Sequence, residues 1–169
     1  MKKSIFSVIL LVFVMSMGNP ISAQKAKFGH TDYAQLVQAM PEIDSAQNVV
    51  SELKKSLEAT GLQMQEEIQT KYESFQANQA SYSPAVAKIK QKEIEDLYKR
   101  LQEFSENAHA QLQAKQSELL APIQEKVLAA IKAVAKRENY TYIFDIKTVA
   151  YHTDSTDITN IVKAELGIK

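Results

Sequence analysis

The sequence predicts an α+β protein in which a long antiparallel helical hairpin, a coiled-coil arm, projects from a small β-strand body. Two apolar seams at coiled-coil spacing occupy residues 46–137 and are separated by a break near residues 81–84. Segments rich in aromatic and β-branched residues lie on both sides of that hairpin, within residues 24–45 and 138–169. The two ends of the chain must therefore meet to build the body.

The first 23 residues have the pattern of a secretory signal peptide. A positive start at Lys2 and Lys3 precedes an apolar stretch over residues 5–14, and small residues end at Ala23, the predicted cleavage site. The apolar stretch is shorter than the roughly twenty residues that span a bilayer, so we expect a released protein without stable membrane insertion. The periplasm is the expected compartment, with secretion beyond the cell as the alternative.

Charge and cysteine content exclude several classes of partner. Without Lys2 and Lys3 the chain keeps 18 basic and 20 acidic residues, a net charge near −2. Nucleic acid and anionic membranes select a clear basic excess, so we expect neither as a partner. The chain contains no cysteine, which excludes a disulfide framework and a thiolate metal site.

The N-terminal part of the body is predicted to be a short strand followed by a short helix. Residues 27–31 form the strand, and Asp32 is placed to cap a helix that Pro41 ends.

The arm is predicted from apolar residues that recur at three, four or seven positions. We expect two limbs of roughly forty residues, each about 60 Å long at 1.5 Å per residue. At the tip, Ser83 can cap the second limb and Pro84 suits its first turn. The first seam consists of Val50, Leu53, Leu57, Met64, Ile68, Phe75 and Tyr82, and the second of Ile94, Leu97, Leu101, Phe104, Ala108, Leu112, Leu119, Ile123, Val127, Ile131 and Val134.

The C-terminal part of the body is predicted as strand, turn, strand and helix. Residues 140–146 form the first strand, residues 147–148 the turn, and residues 149–152 a second strand. Residues 154–157 then offer several caps for a last helix. So small a body buries too little apolar surface to be stable alone, and oligomerisation is the simplest remedy.

Signals for chemistry are few. The three histidines, His30, His109 and His152, are far apart and lack metal-ligand spacing, so we expect no metal site. The four glycines form no phosphate-binding loop, and no nucleophile motif is found. We therefore expect no enzyme activity and no cofactor.

The order of these segments resembles the Skp/OmpH family of periplasmic chaperones. The most specific likeness lies in the C-terminal stretch, where Tyr142-Ile143-Phe144-Asp145 is followed by Thr148-Val149-Ala150-Tyr151 and then Asp157-Ile158-Thr159. The resemblance implies a jellyfish-like homotrimer whose β body is assembled from three chains. We expect the aromatic and β-branched residues of the body to form the trimer interface: Phe28, Tyr142, Phe144, Ile146, Val149 and Tyr151.

The resemblance also implies an ATP-independent holdase that keeps unfolded outer-membrane proteins in a cavity between the arms. We expect Gly61 and Pro122, both inside predicted limbs, to act as hinges. The alternative is an exported coiled-coil structural or adaptor protein of the cell envelope. For the holdase, the candidate client-binding residues are apolar side chains on or beside the seams: Tyr72, Tyr82, Ile89, Tyr98, Leu120 and Leu128.

Overall fold

The computed structural model describes residues 26–168, and the predicted signal peptide lies outside them. Strand β1 (Phe28–Thr31) leads into the short helix α1 (Tyr33–Gln38). As predicted, Asp32 caps α1: its carboxylate accepts a hydrogen bond from the backbone N–H of Gln35 at 2.8 Å.

Two long helices form the arm. Helix α2 (Glu42–Asn78) has 37 residues and helix α3 (Pro84–Arg137) has 54. A 3₁₀ turn (Gln79–Ser81) joins them, and Ser83 caps α3 by accepting from the N–H of Val86 at 3.4 Å. The turn between the two helices lies within residues 79–83, and every residue of the two predicted seams is buried or half-buried.

The prediction of two limbs of about forty residues is wrong for the second limb. Helix α3 is roughly 80 Å long, against about 55 Å for α2, at 1.5 Å per residue. The difference arises because α3 continues past the start of α2 and packs against α1 and the C-terminal helix α4 (Thr159–Leu166). The apolar seam is periodic through this whole stretch, so the sequence carries no mark where arm ends and body begins.

The end of α3 turns the chain sharply into the second strand. Asn139 has a left-handed backbone, φ 59°, and the N–H of Tyr140 donates to the carbonyl of Ala135 at 2.9 Å. This is the geometry that commonly ends helices. Strand β2 (Tyr142–Asp145) then pairs in parallel with β1, with Phe28 opposite Tyr142.

The predicted second strand at residues 149–152 is absent from the described chain. A 3₁₀ turn (Ile146–Thr148) is followed by an irregular, unpaired segment with a bend at Ala150, and another 3₁₀ turn (Asp154–Thr156) precedes α4. The far edge of β1 is bridged instead by Asp157, which lies beside His30, and the N–H of Ile158 donates to the carbonyl of His30 at 2.9 Å. An extended segment becomes a strand only when a partner supplies the ladder.

The core lies where α1, the start of α2, the last third of α3 and α4 meet. Its members are apolar and nearly inaccessible: Leu36, Met40, Ile43, Ala46, Ile123, Val127, Ala130, Val134, Ile158 and Val162. The core therefore crosses the expected boundary between arm and body at residue 137, and that boundary stays a prediction. Two ion pairs, Glu42 with Lys126 and Arg137 with Glu165, lie at the surface of this core.

Candidate functional site

The arm carries an open apolar gap about halfway along its length. Leu57 and Gly61 of α2 face Phe104, Ala108 and Leu112 of α3 across a cavity of about 480 Å³. Two of the smallest side chains in the chain, Gly61 and Ala108, leave the space between the helices unfilled. We call this cavity the Gly61 gap.

The rim of the Gly61 gap is polar, and its lysine is paired with a carboxylate. Lys54 and Glu58 form an ion pair at 3.7 Å, and Gln65, Ser105 and His109 complete the rim. Leu62 also stands at the rim and is 65% exposed. A single large apolar side chain is therefore held in water beside an apolar cavity.

A second cavity extends the same side of the arm toward the body. It measures about 320 Å³ and is lined by Val50, Leu119 and Leu120, with Gln47 and Gln116 among its polar residues. Lys54 lines both cavities, so the two are adjacent.

Two tyrosines continue this side toward the tip. Tyr72 follows Gln65 by seven residues, and Tyr98 precedes Ser105 by seven, which is two helical turns in each case. Both are about half exposed. We call this surface the arm face; it consists of the two cavities with Leu62, Tyr72, Tyr98 and Leu120.

The body carries an exposed aromatic patch on its sheet. Phe28, Tyr142 and Phe144 stack on one another with ring centroids 5.8–6.4 Å apart. All three remain largely accessible: Phe28 is 50% exposed and Tyr142 58%. Parallel pairing places β1 and β2 side by side, and these rings stand together because Phe28 lies opposite Tyr142.

Two stretches of backbone in the body lack strand partners within residues 26–168. The outer edge of β2 is unpaired, because the described sheet has two strands and β1 occupies the other edge. Residues 149–153 belong to no strand and bend at Ala150, and Tyr151 within them is 81% exposed. Unpaired edges beside exposed aromatic side chains are a template for pairing with another chain.

A cluster of polar side chains holds the segment before α4 against β1. The buried His30 ring lies 4.6 Å from the His152 ring, and its Nδ1 is 3.0 Å from the Thr156 hydroxyl. Burial raises the pKa of Asp157, but hydrogen bonds from the hydroxyl and N–H of Thr159, with the nearby histidines, bring that pKa below its ordinary value. This cluster ties β1 to α4 and thereby positions the aromatic patch.

Residues 26–168 hold no group of three or more histidine, aspartate or glutamate side chains arranged for a metal ion. Within the same range no helix is both long and apolar enough to cross a membrane.

The comparison with known families decides the family of this chain. A family model described as "Outer membrane protein (OmpH-like)" matches residues 27–166. The chain belongs to the OmpH-like family.

One relative and one solved structure each match more than four fifths of the OmpH-like chain. It is 29% identical over 150 residues to "Chaperone protein Skp" of Yersinia enterocolitica, covering 86% of this chain and 88% of that protein. An OmpH-like protein of Caulobacter crescentus CB15 has the same fold, with a TM-score of 0.72 at 11% identity over 83% of each chain. The predicted family and fold class are confirmed.

The OmpH-like chain places only some of the predicted client-binding residues together. Tyr72, Tyr98 and Leu120 share the arm face, whereas Ile89 lies near the tip and Leu128 lies beside the body. Tyr82 is half-buried and stacks on Phe75 at 6.2 Å, so it packs within the arm.

The sequence reasoning missed Leu62. This residue is off the seam, and a lone leucine beside Gly61 has no periodic signal. Only the pairing of α2 with α3 places it at the rim of a cavity. The predicted interface residues lie in the aromatic patch or in the segment after β2, where a trimer interface stays a prediction. Gly61 and Pro122 both lie inside continuous helices, and their roles as hinges stay predictions.

Proposed function

We propose that this OmpH-like protein is an ATP-independent holdase of the periplasm that binds unfolded outer-membrane proteins between its arms as a homotrimer. The arm face carries the proposal, because it combines two apolar cavities with exposed Leu62, Tyr72 and Tyr98 on one side of the hairpin. Such a surface offers many weak contacts and lacks one deep site.

Weak and repeated contacts suit an unfolded client. An unfolded chain presents scattered apolar side chains in many conformations, which a rigid complementary pocket would bind poorly. Once one contact forms, the others act at high effective concentration, so total binding is tight while each contact is weak. Release needs no nucleotide, since folding of the client in the membrane removes the apolar surface that the arms hold.

The aromatic patch and the two unpaired edges support assembly into a trimer. Phe28, Tyr142 and Phe144 expose apolar surface next to the free edge of β2, and residues 149–153 have no strand partner in the described chain and are free to pair with another copy. Pairing of this kind satisfies backbone groups and covers the rings together. Three arms then surround one space.

Removal of the arm tests the proposed function. Gly61 lies opposite Phe104 and Ala46 lies near Leu119, so residues 55 and 110 face each other and residues 55–110 can be replaced by a short Gly-Ser loop. The core residues all lie outside this range. We expect a folded, assembled variant that no longer suppresses aggregation of a urea-denatured β-barrel protein, measured by light scattering. Suppression equal to that of the full-length mature chain would refute the proposal.

An adaptor role is the second candidate, because Val86 and Ile89 expose 39% and 58% of their surface near the tip. An adaptor docks through its tip. A full-length chain that fails to suppress aggregation, but cross-links to envelope components from positions 86 and 89, would favour it.

A further inference from the structure

Within residues 26–168, no contact and no backbone angle requires a glycine at position 61. It lies in the interior of α2, and among the described glycines only Gly167 has a left-handed backbone. A Cβ atom at Gly61 would lie 3.7 Å from the Phe104 ring, an ordinary contact. Glycine inside a helix costs roughly 1 kcal/mol relative to alanine. What glycine preserves here is open space.

The space is large enough to receive a side chain. The cavity of about 480 Å³ falls within the range of small-ligand pockets. Leu57, Leu101 and Phe104 form apolar walls, and Ala108 leaves the opposite side open. Water in such a cavity gains few hydrogen bonds, so an apolar group would displace it favourably.

The charge of the rim limits what can enter. Lys54 and Glu58 neutralise each other, and Gln65 and Ser105 are uncharged. A rim of this kind favours an uncharged apolar group, while the amides of Gln47, Gln65 and Gln116 along the arm face can both donate to and accept from an extended backbone.

A helix from a second copy does not fit this face. A packed helix needs apolar residues at every third or fourth position. The α2 residues that line the two cavities and remain exposed are Gln47, Ser51, Lys54, Glu58, Leu62 and Gln65, so only one exposed position in about five turns is apolar. A single exposed apolar position suits a bound chain that places one apolar side chain, and not a whole helix, against this surface.

We propose that the Gly61 gap receives single aromatic or large aliphatic side chains of an extended, unfolded client chain, with Leu62 covering the inserted side chain. This inference rests on the proposed holdase function and gives it a defined contact. Three arms would supply three such gaps, so each client would be held at several of its own apolar residues.

Three substitutions distinguish the effect of filling the Gly61 gap from the effect of a stiffer α2. Ala108→Leu fills the gap from α3 and leaves Gly61 unchanged. Gly61→Ala narrows the gap and stiffens α2. Thr60→Ala is the matched control: Thr60 is exposed, its hydroxyl donates to the Ser56 carbonyl at 3.0 Å, and its replacement favours helix without entering the gap. Helicity, thermal midpoint and assembly mass are measured for each.

The readout is the affinity for a urea-denatured, fluorescently labelled β-barrel protein after dilution of the urea. We expect Ala108→Leu to weaken binding about tenfold, since one buried side chain is lost at each gap. Gly61→Ala should weaken binding less and raise the thermal midpoint, and Thr60→Ala should bind as the unsubstituted chain does.

Other outcomes overturn the inference. Unchanged affinity and unchanged assembly mass in a folded Ala108→Leu variant would show that nothing enters the gap. Weaker binding by Gly61→Ala alone would assign the effect to bending of α2. A change of assembly mass with unchanged affinity would make a second copy the occupant. An unsubstituted chain that binds no unfolded protein would refute the proposed function itself, and the inference with it.

Discussion

At the scale of single residues, Gly29 and Gly61 are used in opposite ways. Gly29 lies in β1, where a Cβ atom would stand 2.9 Å from Cε1 of Tyr140. The Tyr140 ring is held on two sides. The Lys27 ammonium lies 4.0 Å from the ring centroid, and the backbone N–H of Tyr140 donates to the Ala135 carbonyl. Gly29 is thus required by packing, whereas Gly61 is not.

We expect Gly29→Ala to lower the free energy of unfolding by roughly 1–3 kcal/mol, the usual result of overpacking. In a urea titration, this loss appears as a lower midpoint of unfolding at an unchanged slope. Gly61→Ala is the internal control, since the same substitution there should raise the midpoint. If Tyr140 is the cause, Gly29→Ala combined with Tyr140→Leu should recover most of the loss; no recovery would place the strain elsewhere.

At the scale of elements, α3 carries an interruption that the fold tolerates. Pro122 lies inside this helix and is exposed, and it has no N–H for the carbonyl of Glu118 four residues earlier. The position lies at the edge of the core, because Ile123 is a core residue whereas Leu119 is only half-buried and packs against the core. A weakened helix at this place suits a hinge for the whole arm.

We expect Pro122→Ala to raise the free energy of unfolding by up to about 3 kcal/mol, and the thermal midpoint with it. The chain has no cysteine, so Ser81→Cys allows one spin label at each arm tip. Pulsed EPR should then give a narrower distribution of tip-to-tip distances in the Pro122→Ala assembly. An unchanged distribution would contradict the predicted hinge.

Local patterns account for the elements that the sequence predicts correctly. Each of the two seams depends on periodicity along its own helix, and the cap of α3 depends on the neighbours Ser83 and Pro84. The predicted strand at residues 149–152 would need a partner strand, which no periodicity within this chain supplies. The arm face likewise depends on the register between two helices, since Gly61 becomes informative only once it lies opposite Phe104.

At the scale of the whole molecule, the aromatic patch is separate from the buried core. Phe144 is 43% exposed and is not part of the core cluster, which lies among the helices. An added charge at this position should therefore disturb contacts between copies more than the fold of one copy.

We expect Phe144→Asp to yield a dissociated chain that keeps its helical circular dichroism, because a buried unpaired carboxylate opposes assembly. Analytical ultracentrifugation would report the mass. The exposed Tyr72→Asp on the arm is the control and should leave the mass unchanged. A Phe144→Asp assembly of the original mass would exclude the aromatic patch as the interface.

The pairing of β1 with β2 also sets the order in which the molecule can form. Lys27 bonds to Thr141 across 114 positions of the chain, whereas the arm closes from its tip through contacts between near neighbours. The hairpin can therefore form early, while β1 has no strand to join until β2 is available. Until then Phe28 and the apolar side of α1 are open to aggregation. Before β2 is available, the proposed chaperone therefore exposes apolar surface of the same kind that it is proposed to bind in its clients.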